Sequence, residues 1–344
     1  CSRSQTVQAR YFPDLKSQRV LVKYGPFPVP PIGNSHTMGN FTLPIPLPCS
    51  NCTVTHVLGG LEYPNGTTAN TNTGMYLHHA VVFNYNDLSV TCAERKIPAP
   101  VFASGNERTV ISPSLSGTKK AGIPIKDNDK YYLVAELMNE ANQTREVFVT
   151  VDWEYVPSPS ADFQVITPVW LDVNGTCFEH GSEVEVPVNQ TTFSLVMNPA
   201  WTSPFAGEVV EIMSHLHDGG QDVLVYKNGG VVCNAKARYG ERPGYVSPGD
   251  HSDHHHDDDD HDHDDHDHEH HGGHDSVNTL QKRHEDRVHI SSISGCTNVG
   301  RIEVGDKWSV TAEYNLTRNM PMMMGGHYEP VMGISVLFVA KDTK

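Results

Sequence analysis

Short runs of apolar, aromatic and β-branched residues recur along the chain, each bounded by Gly, Pro, Asn or Ser. Positions 19–24, 78–85, 131–138 and 146–156 form a first set. Each predicts a β-strand, because branched and aromatic side chains fit a pleated, half-buried surface. Pro157-Ser158-Pro159-Ser160 follows as a connector. A second set covers 193–197, 208–213, 223–226, 231–237, 288–292, 308–314 and 331–340. Within it, Lys227-Asn228-Gly229-Gly230 predicts a tight hairpin, since Asn-Gly readily supplies the positive φ angles such a turn requires. No amphipathic helical pattern extends beyond about ten residues. The pattern predicts an all-β chain of two antiparallel β-sandwich (jelly-roll-like) domains in tandem, 1–160 and 161–344, with a His/Asp-rich insertion at 250–275 in the second.

Composition sharpens this picture once it is divided. The chain has 344 residues, 41 acidic and 25 basic side chains, 21 histidines and a formal charge of −16. Residues 251–275 alone hold 11 Asp/Glu and 11 His with no Lys or Arg, and the remainder carries 30 acidic against 25 basic residues. The tract contains no apolar side chain to anchor it, which predicts a disordered loop. Its imidazoles and carboxylates suit weak, many-site binding of Cu(II), Zn(II) or Ni(II). It also titrates, from −11 with neutral histidines towards zero when all 11 are protonated. The acidic balance and the lack of a basic patch argue against a nucleic-acid partner. The longest apolar stretch, 331–340, is interrupted by Gly333 and is half the length a membrane-spanning helix needs.

Asn-x-Thr sequons stand at Asn40, Asn51, Asn65, Asn142, Asn174, Asn189 and Asn315. Chance predicts roughly three, so the set points to a glycosylated protein that is secreted or held at the cell surface. The seven cysteines fit an oxidising compartment better than a reduced cytosol. Cys49-Ser50-Asn51-Cys52 has no second CxxC to complete a zinc ribbon, which favours structural disulfides. The expected pairs are Cys49 or Cys52 with Cys92, and Cys233 with Cys296.

Three constellations could carry chemistry. In Tyr76-Leu77-His78-His79-Ala80 the adjacent imidazoles would point to opposite faces of a regular strand. They can share an ion only at a strand end or a bulge. In Ser214-His215-Leu216-His217-Asp218-Gly219-Gly220 the two histidines fall on one face, and Asp-Gly-Gly ends the strand. Met332, in Glu329-Pro330-Val331-Met332-Gly333, opens the last apolar run; such a methionine is usually core, but a thioether also suits Cu(I). A run with four further methionines and His327 precedes it at 320–327, readable as a soft metal-handling loop or as packing. His36 and His56 are spare candidates, better read as structural.

This order of His-His, His-x-His and a late Met resembles the copper type II, ascorbate-dependent monooxygenases, the peptidylglycine α-hydroxylating and dopamine β-monooxygenase group. In wording it is closer to the stress-up-regulated nodulin-type proteins, through His215–Cys233 and Val331-Met332-Gly333-Ile334. The resemblance covers residues 70–340 in spaced blocks. It implies two nested β-sandwiches, each contributing one copper. His78 and His79 would serve an electron-donating site; His215, His217 and Met332 would serve the site where dioxygen and substrate react. It also implies a third His on a later strand of the first domain. The comparable segment, 132–139, has none, which leaves Glu136 or Met138 according to register.

The expectation is therefore a copper protein holding one or two ions. As an enzyme it would use dioxygen, an external reductant such as ascorbate, and a small-molecule or peptide substrate. The rival is a non-enzymatic protein of the same fold that buffers metal at the cell wall. A third reading keeps the sandwiches as an adhesion module with incidental histidines.

Overall fold

The computed structural model describes residues 2–31, 38–175, 177, 181–247, 287–324 and 327–342. They form strands and a few single 3-10 turns, with no α-helix among the described residues. Cys1, His36 and the 251–275 tract lie outside the described residues.

A nine-stranded sheet runs through the molecule in the order Ser2–Val7, Gln18–Val29, Arg145–Val156, Cys52–Glu62, Ala121–Ile125, Gln164–Asp172, Gly333–Lys341, Gly207–Leu216 and Cys296–Ile302. One half of it packs on a four-stranded sheet, Gly39–Ile45, Tyr131–Asn139, Met75–Leu88 and Pro98–Ser104. The core between them is built from residues such as Trp153, Val57, Leu77 and Leu133. The other half packs on a sheet containing Gly220–Lys227, Gly230–Tyr239 and Lys307–Asn315, with Trp308, Val223, Ile212 and Leu337 between.

The pairing is antiparallel except at one short join, where Gln164 and Val165 run parallel to Ala121 and Gly122. That join makes the nine strands continuous. The last strand shows why its sequence is almost unbroken apolar: Leu337 and Val339 enter one core while Phe338 and Ala340 enter the other. A strand buried on both faces loses the polar alternation of an exposed one. The hairpin at 227–230 forms as its residues dictate, with φ of 52° at Asn228 and 83° at Gly229.

The disulfides correct one expectation. Cys49 bonds Cys52 and Cys92 bonds Cys177, while Cys233 bonds Cys296. Cys92 therefore takes neither Cys49 nor Cys52. Those two lie 6.1 Å apart at Cα, within bridging reach of each other. The Cys92–Cys177 bond spans 85 positions and ties the loop after Asp172 to the first half of the chain. No helix among the described residues is long and apolar enough to cross a membrane.

Candidate metal centre

The His-His pair shares a face because its strand is bulged. Leu77 pairs with Leu137 and His79 pairs with Glu136, so His78 is an extra residue in Met75–Leu88. A bulge cancels the usual alternation of side chains. Both imidazoles consequently meet one carboxylate: Glu136 Oε2 lies 3.3 Å from His78 Nδ1 and 2.8 Å from His79 Nδ1. The two rings are 4.1 Å apart.

The His-x-His pair sits where Gly207–Leu216 ends. His215 Nδ1 donates to Glu107 Oε1 at 3.0 Å, and His217 Nδ1 donates to the carbonyl of Pro330 at 2.7 Å. The Tyr314 hydroxyl donates to Met332 O at 2.6 Å and accepts the His217 and Met332 N–H groups at 3.3 Å. It thereby links the His-x-His turn to the start of the last strand.

Folding brings the four imidazoles into one cluster. His79 Nε2 lies 3.1 Å from His217 Nε2 and 3.3 Å from His215 Nε2. Donor atoms of His78, His79 and His217 fall within 4.8 Å of one another, as do those of His78, Glu136 and Glu183. Burial, then the neighbouring His78 charge, lowers His79 to about 3, and the same two causes hold His217 well below the usual imidazole range. Burial pulls His78 down too, but Glu329 and Glu136 outweigh it and lift it to about 10. The hydrogen bonds from His78 and His79 hold Glu136 far below the ordinary carboxylate range. Burial raises Glu183.

These contacts test whether the cluster fits a metal. A neutral imidazole carries one ring hydrogen, and at His79 and His217 the outer partner takes it at Nδ1. No ring hydrogen then remains to lie between the facing Nε2 atoms, whose lone pairs oppose each other. A cation relieves that arrangement, and outward Nδ1–H bonds of this kind orient metal-ligating histidines. The His79–His217 and His79–His215 spacings match the edge of about 3.3 Å in a tetrahedron of 2.0 Å metal–nitrogen bonds, while the three imidazoles whose donors all lie within 4.8 Å are His78, His79 and His217. His78 Nε2 and Glu329 Oε1 also form a buried ion pair at 3.0 Å. An imidazole-rich set with carboxylates suits Cu(II) or Zn(II).

The other predicted residues are placed as follows. Met332 is buried against Trp170 and Ile334 on a cavity wall shared with His79 and His215. Glu136 lies in the cluster, whereas Met138 packs with Tyr76 and Met322. His56 sits beside Arg10 and Tyr11, and burial with the Arg10 charge lowers it to about 4. Of the methionine-rich run, Met322 is buried while Met320, Met323 and His327 are exposed.

Glu107, Glu183 and Glu329 escaped the sequence reading, as did His289. Each acid is an isolated carboxylate with no spacing relation to the histidines; only Glu329, three residues before Met332, lay within a flagged motif. His289 is buried between Asp218 Oδ2 at 2.6 Å and Ser247 Oγ at 2.9 Å. It holds the residue that follows His217.

Comparison with known proteins gives this cluster a context. No family model matches the chain. Among solved structures, the glycosylasparaginase PNGase F from Flavobacterium meningosepticum aligns over 95% of this chain and 96% of its own, with 10% identity and a TM-score of 0.40. That likeness is too slight to carry an argument. Two fungal relatives are much nearer in sequence. A probable copper-dependent oxygenase of Phoma sp. is 30% identical over 323 residues, covering 94% of this chain and 72% of the relative. A second, from Cochliobolus lunatus, is 30% identical over 284 residues, covering 82% and 78%. The shared sequence spans most of each chain, and this protein belongs to the family of those probable copper-dependent oxygenases.

Proposed function

We propose that this chain is a secreted, glycosylated, copper-dependent monooxygenase of the ascorbate-driven type, acting on a C–H bond of an organic substrate. The observation that carries this reading is the approach of His79 Nε2 to His217 Nε2 and His215 Nε2 at 3.1 and 3.3 Å, with each Nδ1–H bonded outward. His79, His215 and His217 would hold the metal, with His78 and Glu329 beside it. Because the four imidazoles form one cluster, we read one centre here rather than two separated ones. The 1–160 and 161–344 portions then act as two sandwich units that each contribute one histidine pair.

Bound copper supplies one-electron redox chemistry and the activation of dioxygen. The chain's own residues do the rest. Glu136, Glu107 and the Pro330 carbonyl hold the outer ring hydrogens in place, so the inner nitrogens keep their lone pairs inward. Burial keeps His79 and His217 neutral, as ligands must be. In the overall change, one oxygen atom enters the C–H bond as a hydroxyl group. The other leaves as water, with two electrons and two protons drawn from ascorbate.

The test is metal analysis and copper electron paramagnetic resonance on the full chain and on a variant lacking 251–275. The expected result is one copper retained without the tract, with ascorbate-dependent oxygen uptake abolished by His217→Ala. A folded deletion variant that binds no copper overturns the reading in favour of a metal buffer. Secretion is checked by glycopeptide mapping of the native protein.

A further inference from the structure

A cavity of about 260 Å³ opens against the imidazole cluster. His79 and His215 form part of its wall, whereas His78 and His217 do not. Only one side of the cluster therefore faces this space. The remaining wall is strongly apolar, with Phe83, Phe102, Trp170, Met332, Ile334 and Phe338 among its residues. Such a cavity with a few polar groups is the usual form of a small-molecule site.

The polar groups in the wall narrow the class of occupant. Glu107, Glu136 and Glu183 line it, and among the described residues no lysine or arginine does. An anionic ligand would meet acids without a cationic partner. Ser104, Ser182 and Ser214 also line the cavity and leave it a few neutral polar groups.

We infer that this cavity binds the substrate, a neutral, largely apolar small molecule presenting its reactive C–H to the His79/His215 side of the cluster. This rests on the oxygenase reading for the chemistry, but not for the binding. A peptide backbone, with its many polar groups, does not suit these walls.

The test uses three ligands with one ring system: naphthalene, 1-naphthol and 1-naphthoate. Their binding to the full chain is followed by fluorescence before copper loading, and the copper resonance spectrum is recorded separately. 1-Naphthol is expected to bind saturably at one site, as is naphthalene. 1-Naphthoate should bind at least about tenfold more weakly than 1-naphthol, because the wall acids repel it. Ala103→Phe fills the cavity and should abolish binding while leaving the copper spectrum intact. Val134→Phe, on a different strand, provides the same test should the first variant fail to fold. Equal binding of naphthoate and naphthol, or naphthol binding undiminished in a folded cavity-filling variant, overturns the inference. Absence of a copper signal in the parent chain would instead count against the oxygenase reading and leave the cavity result standing.

Discussion

The Nε2 atoms of His79 and His217 lie 3.1 Å apart although the residues are separated by 138 positions. One comes from a bulged strand of the four-stranded sheet, the other from the turn that ends Gly207–Leu216. With both rings neutral and both Nδ1–H groups occupied elsewhere, the contact places lone pair against lone pair. Copper binding should therefore stabilise the fold, because it binds the folded arrangement and not the separated histidines. A thermal melt of the 251–275 deletion variant should shift upward by several degrees on adding copper. His217→Ala should melt at one temperature with and without the metal. An equal shift in that variant would show that copper binds elsewhere.

Glu107 is buried and bonds His215 through a single contact of 3.0 Å. Removing its charge in Glu107→Gln should leave the ring less firmly oriented. Outer partners of metal-bound histidines typically contribute about ten- to hundredfold in affinity. Copper affinity, read by competition with a chelator of known strength, should fall within that range while the melting temperature of the metal-free chain changes little.

Gly105 is required by the closeness of the same ring. A Cβ built there would lie 2.3 Å from His215 Cε1 and 2.6 Å from both His215 Nδ1 and Glu107 Oε2. His215 is held in a paired strand, and that limits its retreat. Gly105→Ala should alter the copper hyperfine pattern and lower oxygen uptake in a protein whose circular dichroism is unchanged. An unaltered spectrum would mean that the ring moves freely.

Glu211 introduces a pH dependence of stability. Burial raises its carboxyl from 4.5 to about 7, although Ser112 N–H donates to Oε2 at 3.0 Å. The folded chain then holds this proton more tightly than the unfolded chain. Its contribution is fully present below about pH 4.5 and is lost as pH rises through 7, a change of roughly 3 kcal/mol. Glu211→Gln keeps an acceptor for Ser112 and cannot ionise. Denaturant midpoints measured from pH 4 to 8 should decline less steeply for this variant than for the parent.

Asn174 differs from the exposed sequon residues. Its amide nitrogen donates to the carbonyls of Gly181 and Glu183, each at 3.0 Å, and so holds the segment that carries Glu183. Attachment of a sugar would remove one of those hydrogens. On a chain carrying N-glycans, peptide mapping should find Asn174 unmodified while the exposed Asn40, Asn51, Asn65, Asn142 and Asn189 are open to modification.

Much of the architecture was legible along the chain, because strand formation is a local matter. Branched and aromatic runs predict strands wherever they occur, and Asn228-Gly229 turns the chain between its neighbours without distant help. The histidine pairs were equally visible as motifs, but spacing alone gave a shared face only to His215 and His217. The strand Cys52–Glu62 was not, because Gly59 and Gly60 interrupt its pattern. Gly59 is there because a Cβ would come within 2.7 Å of Ser104 on the facing sheet, a relation no local pattern contains.

The sequence by itself determined many of the strands and which side chains can ligate a soft or borderline metal. Only the tertiary structure decided that His78 is a bulged extra residue, that two histidine pairs meet as one cluster, and that Glu107, Glu183 and Glu329 surround them. It also decided that Cys92 bonds Cys177. Side-chain alternation is encoded by neighbours, whereas register, bulges and the meeting of remote strands depend on packing energies summed over the whole core.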